Sequence, residues 1–141
     1  MFKIRHNLSS KTLLLLYHAL IQSYLDYCNI IWAVGSTYLL DSVFCKQKKA
    51  VRAIVFAKWN AHTSEIFKQL NVLTAYVTNK LQTCCFVYRS MHNLLPMSFC
   101  GLFTTNSLVH SHATRQKDQL NVISHHLNVR RHSIQIYGVK L

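Results

Sequence analysis

Residues 45–54, CKQKKAVRAI, place Lys46, Lys48, Lys49 and Arg52 beside Val51 and Ile54, with no acidic residue inside the stretch. At about 100° per residue the pattern extends into a helix from about Thr37 to Ala57. Leu40, Val43, Phe44, Gln47, Val51, Ile54 and Val55 share one continuous face, interrupted by a single Gln, and the four cations occupy the opposite half. Such a helix buries one side and offers an unpaired cationic ridge on the other.

Outward from this helix, the same periodicity predicts a mainly α chain. The stretch NLSSKTLLLLYHALIQSYLDYCNIIW reads as one long helix capped by Ser9 or Ser10, whose hydroxyl can accept a free amide of the first turn. Leu13, Leu16, Leu20, Ile21, Tyr24, Cys28 and Ile31 fall on its apolar side, and His18, Gln22, Asp26 and Asn29 on the other. Leu15 is out of pattern, and Gly35 marks the end. HTSEIFKQLNVLT predicts a short helix capped by Thr63 or Ser64, with Ile66, Phe67 and Leu70 as its apolar edge. A further long helix, from about Thr74 to Leu95, carries Val77, Leu81, Cys84, Tyr88, Met91 and Leu95 as a core stripe before Pro96. The expectation is a small bundle of three long helices and one short one over residues 1–100. A His-rich, basic and largely irregular tail follows over 101–141, with short extended segments such as HSIQIYG.

The chain's 141 residues suffice for one domain with a real core, and half of them are hydrophobic. Sixteen Lys and Arg stand against four acids, a formal net charge of +12, which favours nucleic acid, an anionic surface or an acidic partner. The acids, Asp26, Asp41, Glu65 and Asp118, are isolated, whereas metal-dependent phosphoryl transfer needs converging carboxylates. No catalytic residue is assigned. Nine His include His110-x-His112 and His125–His126, but no cysteine joins them at a zinc-like spacing, so no metal is expected. Three glycines make no phosphate loop, and no cofactor or small-molecule substrate is expected. Five cysteines without a C-x-x-C point to a reducing, intracellular setting, nucleus or cytoplasm, rather than a disulfide framework. Cys28 and Cys84 read as small core hydrophobes. The N-terminal stretch imitates a signal peptide, but His18 and Gln22 interrupt its apolar run and no small-residue cleavage site follows. A mitochondrial presequence is compatible with the absence of acids before Asp26. No apolar run reaches the ~18 residues of a membrane span.

The ordered set LSSKTLLLLYHALIQSYLDYCNIIW, QKKAVRAI, HTSEIFKQLNVLTAYVTNKLQTCCFVYRSMHNLLP, TRQKD and SIQIYGVKL, from about Ile4 to Leu141, resembles the C-terminal part of non-LTR retrotransposon reverse transcriptases, the jockey-like elements. The resemblance implies the polymerase thumb and the region after it, next to palm and fingers domains. In that family the palm holds the metal-binding aspartates, including an adjacent pair. No such pair occurs here, so the resemblance implies a non-catalytic fragment with both ends cut. It also implies a setting in which a thumb helix grips the backbone of an RNA or DNA template–primer. Lys46, Lys48, Lys49 and Arg52 are assigned to that contact from helical phase. The competing readings are a helical protein-interaction module that meets an acidic partner through the ridge, and an unselected remnant without function.

Overall fold

The computed structural model of the chain describes residues 5–35, 37–112 and 114–141, with backbone alone at 128 and 129. It is mainly helical, and among the described residues β pairing is limited to an isolated antiparallel bridge between Thr105 and Leu120. The elements are α1 (Ser10–Leu16), a π-helical segment (Tyr17–Gln22), α2 (Ser23–Asp26), α3 (Asn29–Gly35), α4 (Thr37–Ile54), α5 (Ser64–Gln69) and α6 (Ala75–Met91). Single turns follow at α7 (Asn106–Val109), α8 (Asn128–Arg131) and α9 (Ile134–Tyr137). None of the described helices is long and apolar enough to cross a membrane.

The chain divides into two compact units: residues 5–29 with 37–79, and residues 30–35 with 80–141. The division passes through α6, whereas the composition of the sequence changes at 101. In the first unit α1, the π segment, α4 and α5 enclose a core of Leu13, Tyr17, Ala50, Val51, Ile54, Ile66, Phe67 and Val72. α1 begins as expected, with the Ser9 hydroxyl accepting the Thr12 amide at 3.3 Å. α5 begins after Thr63, whose hydroxyl makes no cap bond.

The long first helix of the sequence reading is not continuous. Its buried residues are Leu13, Tyr17, Leu25, Asn29, Ala33 and Val34, while Leu20, Tyr24, Cys28 and Ile31 are exposed. The reason is local geometry. Positions four apart drift around an α-helix, but the i→i+5 bonding of the π segment, as in Ser23 N–H to His18 C=O, widens the turn and keeps them in line. The helix then breaks at Tyr27–Cys28, where Tyr27 is extended and Cys28 has φ 48°, and Asn29 starts α3. Asn29, expected on the solvent side, is fully buried: its Nδ2 donates to Leu25 C=O at 2.7 Å, and its Oδ1 accepts from Asn79 Nδ2 at 2.8 Å.

Three helices stop in the same way. Phe56, Asn71 and Asn93 each adopt positive φ. Ala57 N–H then reaches back to Arg52 C=O at 3.0 Å, Val72 to Phe67 at 3.0 Å, and Leu94 to Arg89 at 2.9 Å. These are the 6→1 bonds of Schellman caps. They end α4 at Ile54 and α6 at Met91, three or four residues before the sequence signals, because the left-handed residue closes the last turn first. Val72, buried beside Phe67, supplies the apolar contact that accompanies such a cap.

α6 also reverses an expectation. Its buried residues are Ala75, Thr78, Asn79, Thr83 and Ser90, whereas Val77, Leu81, Cys84, Tyr88 and Met91 are exposed. The oily stripe is regular, yet the polar face is the one covered. In the second unit Phe86 packs edge-on against Phe99 and Phe103, at centroid distances of 5.8 and 6.4 Å. Ile136 is buried, and a Cβ at Gly138 would lie 2.8 Å from Val87 Cγ2. The segment from Thr104 to Asn121 closes on itself through Asn106 N–H to Gln119 C=O and Asn121 N–H to Thr104 C=O. The region after Gly101 is largely irregular, as expected, and belongs to this unit, but the predicted extended segment at 132–138 contains the helical turn α9. Ile136 decides this, since one buried anchor outweighs a short alternating pattern.

Burial raises the Tyr17 phenol above its ordinary range; the Gln47 amide opposes the shift and Asp26 adds to it. Burial also raises Tyr137, with Cys84 contributing. A raised folded-state value favours the neutral phenol, so this stability is complete below about pH 10, the unfolded value, and is lost as pH rises through the folded value. Denaturant unfolding at increasing pH should show a decline that begins near there. In Tyr17→Phe the decline should be shallower, by at most about 1.4 kcal/mol per pH unit. An unchanged slope would mean that Tyr17 ionises alike in both states.

Candidate nucleic-acid interface

α4 is held in place by its one buried polar residue. Gln47 donates to Tyr17 Oη at 2.8 Å and to Leu73 C=O at 2.8 Å, and its Oε1 accepts the Ala75 amide at 2.9 Å. The Tyr17 hydroxyl donates to Gln22 Oε1 at 3.1 Å, and Gln22 Nε2 donates to Asp26 at 3.0 Å. With Gln47 fixed on the buried side, the flanking cations are directed away from the core.

The four cations do not form one line. Lys46 is exposed beside Tyr38, Asp41, Ser42, Cys45 and Lys49. Lys48 is half-buried on another side, its Nζ 4.2 Å from the centre of the Phe44 ring, which also packs against Phe67 and Tyr76. Lys49 and Arg52 do converge. With Arg5, Ala57, Lys58, Trp59 and Asn60 they line an open cleft of about 880 Å³, within the ~300–1,000 Å³ typical of binding clefts. Arg52 Nε donates to Ala61 C=O at 2.9 Å, and Ala61 N–H donates to Lys58 C=O at 3.1 Å. The first bond ties the connection after α4 back to the helix. The second closes a four-residue turn with Trp59 and Asn60 at its tip.

Acids do little to neutralise this surface. Asp41 accepts from the Tyr76 hydroxyl, and Glu65 pairs with Lys68 at 3.3 Å, both partners exposed. Among the described residues no acid lines the cleft, and Lys46, Lys49 and Lys58 have no ion pair. Lys58 and Trp59 follow the ridge closely in sequence, so their presence at the cleft was legible. Arg5 was missed, because nothing local signals that the short 3₁₀ turn Arg5–Asn7 lies against the end of α4. Arg5 Nε also donates to His6 at 3.2 Å. Among the described residues no group of three or more His, Cys, Asp or Glu is placed to hold a metal ion. All five cysteines are exposed thiols, including Cys28 and Cys84, which were expected in the core. Cys28 sits in the break between α2 and α3, and Cys84 lies on the exposed face of α6.

No protein-family model matches the chain, and neither a characterised protein nor a solved structure does.

Proposed function

We propose that this chain is a non-catalytic, thumb-like region related to non-LTR retrotransposon reverse transcriptases, and that it holds RNA or DNA through backbone phosphates. The family assignment rests on the order of sequence segments given above, with palm and fingers domains as its intramolecular partners. The contact to nucleic acid rests on one observation: cations from α4 and from the turn after it stand together with no carboxylate among them. Phosphate binding needs such clustered charge and no base-reading element.

The test compares Lys49 and Lys58 changed together to Gln with an equal charge change at Arg115 and Lys117. Arg52 is left intact because its Nε holds the turn. The lysine variant should bind RNA or DNA duplex more weakly at low salt. Its plot of log affinity against log salt should be flatter by about 0.7–0.9 per lost phosphate contact, with helical content unchanged. Equal losses in both variants would show that only overall charge matters and would end the assignment to this cleft.

A second reading, a helical module that docks a protein partner, is favoured by the exposed stripe Val77, Leu81, Tyr88 and Met91 on α6. Apolar docking there would persist at salt concentrations that abolish phosphate binding.

A further inference from the structure

We infer that the cleft at the end of α4 is a single-strand site, in which an unpaired base stacks on Trp59 while Lys49, Lys58 and Arg52 hold the adjoining phosphates. The inference rests on the nucleic-acid reading and names which form of nucleic acid the site takes. Trp59 is 87% exposed at the tip of a turn closed by the Lys58–Ala61 bond and tied to α4 by Arg52. An exposed indole alone is unremarkable, but this one is held on a fixed turn. None of the ring or cation contacts among the described residues involves it, so its π-face is open. Among the described residues the rest of the lining is cationic or polar apart from Ala57. That combination, an aromatic platform beside a positive groove, fits single strands, whose bases expose their faces. A duplex would first have to unstack a base, at a cost of a few kcal/mol. An anionic membrane would also attract the cations, but interfacial anchoring calls for a continuous apolar face around the indole, and Asn60 with the cations occupies that place.

The experiment uses the full chain and three probes of equal length: an oligouridine strand, an abasic strand with the same phosphates, and an RNA duplex. Trp59→Ala should weaken oligouridine binding by about 5- to 140-fold and leave the abasic strand and the duplex unchanged. Trp59→Phe should restore most of the loss, since a benzene ring still stacks. Circular dichroism should match the parent, because the indole contributes nothing to the core. An unchanged oligouridine affinity in Trp59→Ala overturns the inference, and so does an equal loss on the abasic strand. If the lysine variant nevertheless weakens all three probes, the phosphate reading stands and only the stacking site falls. If the parent chain binds none of the probes, both fall. Vesicles of phosphatidylserine and phosphatidylcholine form the last arm: a Trp59→Ala loss there, with oligouridine binding unaffected, would replace the single-strand site with a membrane contact.

Discussion

Gln47→Leu is expected to lower the unfolding free energy by about 3–5 kcal/mol, a large part of the ~5–15 kcal/mol available to a domain. Leucine is close to Gln in volume, so the loss does not come from a cavity. It comes from the three groups that Gln47 satisfies: the Ala75 amide, the Leu73 carbonyl and the Tyr17 hydroxyl. A buried polar group left without a partner loses about 1–3 kcal/mol; the bonds to the Ala75 amide and the Tyr17 hydroxyl are buried, and that to the Leu73 carbonyl is part-buried. Urea unfolding followed by circular dichroism measures the loss directly. Gln47→Glu separates hydrogen bonding from shape. A carboxylate can still accept from Ala75 but cannot donate to Leu73, so this variant should be weak at neutral pH and recover as the carboxyl is protonated. If Gln47→Leu is as stable as the parent, the network does not hold α4, and the orientation of Lys46 and Lys48 needs another explanation.

The second large effect is expected at Asn29. Changing it to Leu should destabilise the chain by about 2–4 kcal/mol, since the Leu25 carbonyl and the Asn79 amide both lose a buried partner. The double variant Asn29→Leu, Asn79→Leu should be more stable than the sum of the two single losses, because removing both members of a buried polar pair strands fewer groups than removing one. Strict additivity in the unfolding cycle would show that the two amides are not coupled.

These two residues differ in how much of their role the sequence discloses. Gln47 is legible: it is the single polar residue on an apolar helical face, and a lone buried amide implies partners, although not which ones. Asn29 is not legible, since helical phase puts it with His18, Gln22 and Asp26. Two features defeat the phase. The π segment changes the number of residues per turn partway along the helix, and Cys28 at positive φ restarts the helix beyond it. Neither a π turn nor a left-handed cysteine has a dependable local signature. Helix ends were misjudged for a related reason. Asn71 and Asn93 are tolerable left-handed caps that sequence reasoning can look for, but Phe56 is a bulky residue in that conformation, held there by the bond from Ala57 to Arg52. The candidate site was half legible: the α4 cations, Lys58 and Trp59 are neighbours in sequence, whereas Arg5 arrives only through packing.

The sequence alone determined that this chain is mainly helical, that α4 has one apolar and one largely cationic side, and that Ser9 or Ser10 opens the first helix. Those follow from hydrophobic period, charge placement and capping chemistry, which act within a few turns of backbone. Tertiary structure decided which face of each helix is covered and which cations meet. α6 makes the reason plain. Its apolar residues recur at three- and four-residue steps, yet Thr78, Asn79, Thr83 and Ser90 are buried while Val77, Leu81 and Tyr88 face solvent. Period establishes that a helix has two faces; only the surfaces packed against it determine which one is buried.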